Sequence, residues 1–528
     1  MTSLSVQNSR LTQIVSLACL WIFSLILTLQ FPPTWDVAWQ HHIAKEVLHG
    51  GELYRDVIDL NPPLWFWAAV PSVWLAEITQ QSSFAIASFF NLLGLAIALP
   101  CIWSLLPQTW TPHGRTIFCA GLILAIGIVP LDEAGQREQA FSLACAIWVA
   151  IFAARLKGQR IGLVLAILVG LIAAYGFALK HYFILVPITL ELWLIWKQRK
   201  AWRPFRPEVL TLAFSAVVYT VSVLALVPHY LTEIVPLTAA SYQGLRDFGD
   251  QPMLVAISKI IGLSSIAFIP FILVLLNRRA GPFEPIALGL CWVALVCAFN
   301  VCIQAKGWGY HYMPIKAVII LAALALALHK PSAQPESGIR FSRLVAGTLI
   351  LGNVVIPGLK TWTFVQENAP LPEGSPTRIV EQMLEKSPRD STVAVLSSDP
   401  GNAFYRPFEQ GKALYSRYFS LWMLPQLHAD KSVNGQAMLQ DVRTKITQDL
   451  MCSLPDMILI ETTAGYNSDL WSAQFSVTDP LAILEPQAAF NNWMGQNYQE
   501  GPRPGTTIRA WFRTDSATPT KPTTCRRA

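Results

Sequence analysis

Residues 11–31 read LTQIVSLACLWIFSLILTLQF, an apolar stretch without a charged side chain. A helix needs about 20 mostly apolar residues to cross the hydrocarbon core of a bilayer, so this stretch predicts a membrane span. It is longer than the core of a secretory signal peptide, and no small-residue cleavage site follows at Pro32 and Pro33. We therefore expect the span to be retained.

The rest of the chain has the same apolar character. Of its 528 residues, 53% are hydrophobic and 14% are charged, whereas a soluble globular protein is usually about 25% charged. The further candidate spans are 83–106, 116–131, 139–155, 161–179, 181–197, 208–228, 253–276, 286–304, 311–329 and 344–360. The sequence therefore predicts a polytopic α-helical membrane protein with about eleven spans.

The distribution of basic residues orients these spans. Residues 64–76 are short and contain Pro71, which suits a helix lying in the membrane interface. With a cytoplasmic N-terminus, the clusters of basic residues then fall on the cytoplasmic side, as the positive-inside rule requires. They are Arg155, Lys157, Arg160, Lys197, Arg199, Lys200, Arg203, Arg206, Arg278, Arg279, Lys330, Arg340 and Arg343. The net charge of +6 is thus a topology signal, and we expect no nucleic-acid partner.

The composition changes after residue 360. We place the boundary there, between a membrane domain over 1–360 and a soluble extracytoplasmic domain over 361–528. Helices are predicted over 378–386 and 440–450, and strands over 392–397 and 457–461. Their alternation predicts a small C-terminal α/β domain. A disulfide between Cys452 and Cys525 requires this domain to lie in an oxidising compartment.

The first predicted outer loop, residues 32–82, contains the most informative stretch. Residues 35–64 read WDVAWQHHIAKEVLHGGELYRDVIDLNPPL. Asp36 opens a helical pattern over 37–48 that Gly50-Gly51 ends. A carboxylate at the mouth of a helix bundle is partly desolvated, so we expect its pKa to rise, which suits a general base toward a hydroxyl. The alternative is that Asp36 only caps the helix.

Further charged residues lie in the later predicted outer loops. The second loop contains Asp132, Arg137 and Glu138, and charges between two spans are costly unless they are used or solvated. The alternative for them is a solvated loop with local ion pairs. Lys180-His181 and the stretch KGWGYHY at 306–312 are predicted to emerge on the same face. Cations there can stabilise a departing phosphate; the alternative is snorkelling beside an aromatic belt.

The first loop resembles the first luminal loop of GT-C glycosyltransferases of the family 39 type, which include protein O-mannosyltransferases and the lipid A aminoarabinose transferase. The resemblance rests on Asp36 before a short helix, Gly-Gly-x-x-Tyr-x-Asp at 50–56 and Asn-Pro-Pro-Leu at 61–64, and it extends over roughly 11–330. It implies a GT-C fold, a polyprenyl-phosphate sugar donor and a catalytic base at Asp36. Many members carry an acid pair at this point, whereas Val37 follows here.

The sequence thus predicts a membrane glycosyltransferase that moves one sugar from a polyprenyl-phosphate donor to an extracytoplasmic lipid, polysaccharide or protein. Asp36, Glu138 and Asp132 are the candidate catalytic residues. Candidate lipid-phosphate or substrate contacts are Arg137, Lys180, His181, Lys306, Tyr310, His311 and Asn61. The outer segments lack N-glycosylation sequons, which favours a bacterial inner membrane. The alternatives are a lipid or sugar transporter or flippase, and a non-catalytic envelope assembly protein.

The sequence predicts no metal site. His41 and His42 are adjacent, so a regular helix cannot direct both at one ion. Some GT-C enzymes use a divalent cation and others do not, so a divalent cation stays open as a cofactor.

Overall fold

The structure, a computed structural model, describes residues 2–31, 33–244, 264–276, 283–304, 308–328, 376–388, 390–398, 413–414, 416–418, 420–461, 480–484, 488–501 and 508–514, with isolated positions at 261–262, 347–348 and 352. The chain divides into two compact units. The bundle unit comprises Met1–Thr34, Pro71–Ser222 and Ile257–Asn368. The sheet unit comprises Trp35–Val70, Val223–Ala256 and Ala369–Ala528.

This division groups the chain in a way that the sequence did not suggest. The sheet unit combines part of the first predicted outer loop, a middle segment around 223–256 and the C-terminal segment. The domain boundary at 360 stays a prediction, since the units are assembled from separate stretches.

Helices account for most of the described chain. In chain order they are α1 (Thr2–Thr28), α2 (Trp35–Leu48), α3 (Pro63–Thr79), α4 (Ser83–Leu105), α5 (Pro112–Ile123), α6 (Arg137–Leu156), α7 (Leu163–Ala178), α8 (Leu185–Gln198), α9 (Pro207–Leu226), α10 (Val235–Gly244), α11 (Phe268–Leu276), α12 (Pro285–Gln304), α13 (Met313–Ala327), α14 (Pro376–Lys386), α15 (Leu424–Ala429), α16 (Val433–Ser453), α17 (Pro480–Leu484) and α18 (Ala488–Asn497). The predicted interfacial segments 37–48 and 64–76 correspond to α2 and α3.

The described helices confirm a polytopic α-helical membrane protein. Six helical segments are long and apolar enough to cross a bilayer, namely Arg10–Thr28, Ser83–Leu105, Arg137–Leu156, Pro207–Leu226, Pro285–Gln304 and Gly309–Ala327. Three shorter apolar ones are Pro112–Ile128, Leu163–Ala178 and Ser265–Leu275. The predicted span 344–360 lies almost wholly outside the described residues. The count of about eleven spans therefore stays a prediction.

Helix α6 is the centre of the bundle unit. It contacts α4, α7, α8, α12 and α13, and most of its length is buried inside the protein. The absence of a side chain at Gly176 on α7 permits one of these contacts. A Cβ at that position would lie 2.6 Å from the backbone oxygen of Ala140 and 2.6 Å from the Cβ of Ala144. Small residues therefore set how closely α6 and α7 approach.

The C-terminal end of α6 carries a network of ion pairs. Arg155 forms two 2.9 Å hydrogen bonds to the carboxylate of Glu208. Arg206 reaches the same carboxylate at 3.1 Å and that of Glu191 at 2.6 Å. Glu191 lies inside the predicted span 181–197 and is thus paired with a cation. Arg155 and Arg206, two of the basic residues predicted to be cytoplasmic, thus form ion pairs at one end of the bundle.

A five-stranded sheet forms the core of the sheet unit. Its strands are β1 (Thr392–Leu396), β2 (Ala413–Leu414), β3 (Met457–Glu461), β4 (Tyr498–Glu500) and β5 (Ile508–Arg513), in the order β2-β1-β3-β5-β4. Strands β2, β1 and β3 are parallel, while β5 pairs antiparallel with β3 and with β4.

The helices of the C-terminal segment accompany this sheet. Apolar residues of α14, among them Val380 and Leu384, share a buried cluster with Val393 of β1 and Leu459 of β3. The predicted helices and strands of this segment are all present, so the small α/β domain is confirmed. Cys452 is disulfide-bonded, and Cys525 lies outside the described residues.

The contact at Gly176 predicts a stability difference between two glycine substitutions. Gly176→Ala forces α6 and α7 apart, so we expect a loss of about 1–3 kcal/mol, as for other overpacked positions. The matched control is Gly94→Ala on α4, where a new Cβ meets nothing within 4 Å. We expect that variant to be neutral or slightly stabilised, because alanine favours helix over glycine. Thermal unfolding in detergent measures both, and equal unfolding midpoints would contradict this account of the packing.

Candidate functional site

Arg137 and Glu138 lie in the first turn of α6, at the end opposite the Arg155 network. The sequence placed both in the second outer loop, before a helix beginning at 139. The helix instead begins at Arg137, and the two residues are 2% and 1% exposed. The alternative of a solvated loop is therefore wrong for this pair. A carboxylate in the first turn also interacts favourably with the helix dipole.

A buried ion pair joins Glu138 to Lys180. The Lys180 Nζ lies 2.5 Å from Oε1 of Glu138, across 42 positions of sequence. Lys180 follows α7 directly and is only 7% exposed. It does not snorkel toward solvent, so that alternative is wrong for Lys180. Two charges removed from water require such a partner, because an isolated buried charge is far more costly than a pair.

Aromatic rings surround the ammonium group of Lys180. Its Nζ lies 5.2 Å from the ring centre of Tyr310, 5.8 Å from that of Tyr182 and 5.9 Å from that of Phe183. Ring faces attract a cation at these distances and do not neutralise it. Lys180 thus contacts both the Glu138 carboxylate and a set of aromatic rings.

Two polar residues near the end of α12 extend this cluster. The Tyr182 hydroxyl donates a 2.5 Å hydrogen bond to Oε1 of Gln304. The Gln304 amide in turn donates to the backbone oxygen of Asn300, one turn earlier, at 3.1 Å. Our sequence reasoning missed both residues. The available signal was the pair of amides one turn apart in an otherwise apolar span, where polar side chains are costly and commonly functional.

The remaining site predictions in the bundle unit separate into buried and exposed residues. His311 is buried and stacks on Trp308, with ring centres 5.3 Å apart. Asp132 and His181 are exposed. Lys306 lies outside the described residues. The structure thus brings Lys180 together with Glu138 and with the ring of Tyr310. It places Arg137 next to Glu138 in the first turn of α6 and leaves Asp132 and His181 at the surface. The role of each residue stays a prediction.

Asp36 belongs to the sheet unit, in the first turn of α2, and is half-buried. Because α2 begins at Trp35, Asp36 lies inside the helix and not at the cap position assigned from the sequence. A carboxylate there is still favoured by the helix dipole. Its interaction with the helix dipole is therefore a structural role for Asp36, and this role is compatible with a catalytic one.

The histidines of α2 are held as neutral side chains. Burial lowers the pKa of His41 to about 4. Burial also lowers the pKa of His42 to about 4, with a smaller contribution from the charge of Lys45. His42 stacks on Trp39 at 5.0 Å. Near neutral pH, neither ring offers a positive charge to an anionic ligand.

The Gly-Gly-x-x-Tyr-x-Asp stretch forms a compact turn after α2. Gly50 has a φ of +90°, which favours glycine. The backbone of Glu52 donates to the Asp56 carboxylate at 2.8 Å. The Tyr54 hydroxyl donates to the backbone oxygen of Asn61 at 2.6 Å, and the Asn61 amide donates to Asp59 at 2.8 Å. These residues shape the loop, and a substrate role for Asn61 stays a prediction.

Arg417 connects this loop to the C-terminal segment within the sheet unit. Its backbone oxygen accepts a 2.6 Å hydrogen bond from the amide of Ile58. Its guanidinium group is held by Asp449 of α16, with Nη2 and Oδ1 2.6 Å apart. No sequence pattern indicated this contact, because the partners lie in separate stretches that share no motif.

The described residues contain no group of three or more His, Cys, Asp and Glu side chains arranged to hold a metal ion.

No protein-family model and no curated protein matches the chain. Among solved structures it is similar to ArnT from Cupriavidus metallidurans bound to undecaprenyl phosphate, with 12% identity, coverage of 96% of this chain and 98% of that chain, and a TM-score of 0.46. The apo form of the same protein has the same identity and coverage and a TM-score of 0.43. A likeness at this level assigns no role to any residue.

The burial of the Lys180–Glu138 pair predicts a strong effect of removing one partner. Lys180→Met leaves the Glu138 carboxylate buried without its cation, so we expect a loss of about 3–5 kcal/mol in unfolding free energy. The double variant Lys180→Met with Glu138→Leu removes both charges and should be more stable than Lys180→Met alone.

The matched control is Lys445→Met on α16. Lys445 pairs with Asp441 at 2.7 Å, but the Asp441 side chain is 58% exposed. Exposed pairs contribute about 0–1 kcal/mol, so this variant should change the unfolding midpoint little. Unfolding in detergent compares the variants. A Lys180→Met variant as stable as Lys445→Met would mean that the buried pair does not hold the bundle together.

Proposed function

We propose that the chain is a membrane glycosyltransferase that moves one sugar from a polyprenyl-phosphate carrier to an extracytoplasmic acceptor. The observation that carries the proposal is the buried Glu138–Lys180 pair at one end of an apolar helix bundle, with Arg137 buried in the same first turn of α6. Such a cluster suits a lipid phosphate, whose charged group has to leave water while its hydrocarbon tail stays among apolar helices. The resemblance of residues 36–65 to GT-C glycosyltransferases supports the same class independently of this geometry.

In the proposed reaction the acceptor hydroxyl attacks the anomeric carbon of the donor sugar. A bond forms between the acceptor oxygen and that carbon, while the bond from the carbon to the phosphate oxygen breaks. The departing phosphate takes the bonding electron pair. Lys180 and Arg137 stabilise the negative charge that develops on the phosphate oxygen, and direct displacement of this kind inverts the anomeric carbon.

Asp36 is the base in this proposal. It accepts the proton that the acceptor hydroxyl loses as its oxygen bonds to the sugar. The half-buried position in the first turn of α2 limits its contact with water. The rings of His41 and His42 on the same helix are weak bases, because burial lowers their pKa values to about 4.

Glu138 has a different role in the proposal. One of its oxygens is already bonded to Lys180, so the carboxylate orients the cation and limits the net charge of the cluster. Arg137 is buried in the same turn of α6 and brings a second positive charge to this end of the bundle.

A transfer assay on purified protein tests the proposal. Radiolabelled polyprenyl-phosphate sugars are offered together with extracted envelope lipid, polysaccharide or protein, and covalent transfer is followed. We expect Asp36→Asn to lose at least about 100-fold in turnover, the lower range for removing a general base, with its unfolding midpoint unchanged.

The control variant is Asp56→Asn in the same loop. Asp56 accepts a backbone hydrogen bond from Glu52, which an asparagine oxygen can still accept, so its turnover should stay close to that of the unmodified chain. Full transfer by Asp36→Asn would remove the assignment of the base. Movement of labelled donor across vesicle membranes without any covalent transfer would instead support a transporter.

A further inference from the structure

Asn300 is a buried polar residue to which the proposed reaction assigns no role. It lies on α12 with 2% of its surface exposed. Neither its Nδ2 nor its Oδ1 has a hydrogen-bond partner among the described residues. A buried amide that lacks partners destabilises the folded state, so such groups generally have a function or a bound molecule to meet them.

The packing of α12 against α6 shows where Asn300 lies. Gly289, earlier on α12, faces Val149 of α6, since a Cβ at Gly289 would lie 2.8 Å from the Val149 side chain. Asn300 follows eleven residues later. Eleven residues are close to three helical turns, so Asn300 shares the face of α12 that is directed at α6.

The direction of the two helices then places Asn300 near the ion pair. The last turn of α12 contacts Tyr182, near Lys180, whose partner Glu138 begins α6, so α12 and α6 run antiparallel. Moving eleven residues from Val149 toward the start of α6 leads to Glu138. Asn300 thus lies at the level of the first turns of α6, on the same side as the Glu138 cluster.

Glu138 has unused hydrogen-bonding capacity at this level. Its Oε1 accepts from Lys180, while its Oε2 is buried and has no partner in the part of the chain that the structure describes. The two residues therefore present one amide donor, one amide acceptor and one carboxylate acceptor to the same region.

This set of groups fits a particular class of ligand. A phosphate carries only acceptors near neutral pH, and a carboxylate oxygen repels it. A sugar hydroxyl both donates and accepts, so it can donate to Glu138 Oε2 or to Asn300 Oδ1 and can accept from Asn300 Nδ2. Hydroxyl groups meet the demands of all three atoms, whereas a phosphate meets one.

We propose that Asn300, together with Glu138 Oε2, binds hydroxyl groups of the sugar that the donor carries. Arg137 and Lys180 hold the phosphate, and Asn300 distinguishes the glycosylated carrier from the bare carrier lipid. The inference rests on the proposed function and adds a residue that selects the sugar. A site of this kind discriminates strongly, because a ligand that lacks the hydroxyl leaves buried polar groups unpaired.

Equilibrium binding to the full chain in detergent tests the proposal, with two probes. One is polyprenyl phosphate, and the other is polyprenyl phosphate carrying a single hexose. Asn300→Leu keeps the approximate volume of the side chain and removes its hydrogen bonds. We expect its affinity for the hexose-bearing probe to fall about tenfold, the order expected for one or two lost hydrogen bonds. Its affinity for polyprenyl phosphate should change less than twofold.

The matched control is Asn91→Leu, an exposed asparagine on α4 of the same unit, which should alter neither affinity. Should Asn300→Leu fail to fold, Asn300→Ser provides the same comparison with a smaller change. Equal losses for both probes, or no loss for either, would overturn the role of Asn300. If the unmodified chain binds neither probe, the proposed function fails as well, so the two failures are distinguishable.

Discussion

The bundle depends on a carboxylate and an ammonium group that are buried at one end of its central helix. Lys180 and Glu138 meet at 2.5 Å with little exposure to solvent. Each would be very costly to bury alone, so the end of α7, the start of α6 and the segment containing Tyr310 must assemble together for the pair to form. The same constraint keeps Arg137, Glu138 and Lys180 buried in apolar surroundings. In the proposed function, Arg137 and Lys180 bind the phosphate of the donor.

Much of the fold was predictable from sequence because its causes are local. Apolar runs of sufficient length predicted the long helices, and the glycines after Leu48 predicted the end of α2. The alternation of helix and strand predicted the sheet of the C-terminal segment. The partner of Glu138 was not predictable, because Lys180 is 42 positions away and ion pairing has no periodicity. Asn300 escaped notice because a single amide in an apolar helix resembles an ordinary tolerated polar residue.

The candidate site was predicted only as a set of residue types. Their position between apolar runs identified Arg137, Glu138 and Lys180 as candidate site residues. The structure shows that Glu138 and Lys180 form an ion pair. From the sequence, the first-loop motif was interpreted as part of a catalytic site. In the structure most of its residues form a turn, and this turn is hydrogen-bonded to Arg417 of the C-terminal segment. The motif therefore includes residues that stabilise the loop as well as the residue proposed for catalysis. The spacing of its residues alone does not distinguish these two roles. In this loop, Asp36 is the residue proposed for chemistry.

The proposed function requires that the loop after Asp36 and the start of α6 both face the non-cytoplasmic side of the membrane. The Arg155 network must then lie on the cytoplasmic side. Labelling of single cysteines with a membrane-impermeant thiol reagent, in a chain whose native cysteines are replaced, measures this directly. Glu52→Cys, Asp132→Cys and Lys200→Cys introduce thiols at exposed positions. The account predicts that the first two react from outside intact cells and the third only after permeabilisation. Opposite accessibility of positions 52 and 132 would contradict it.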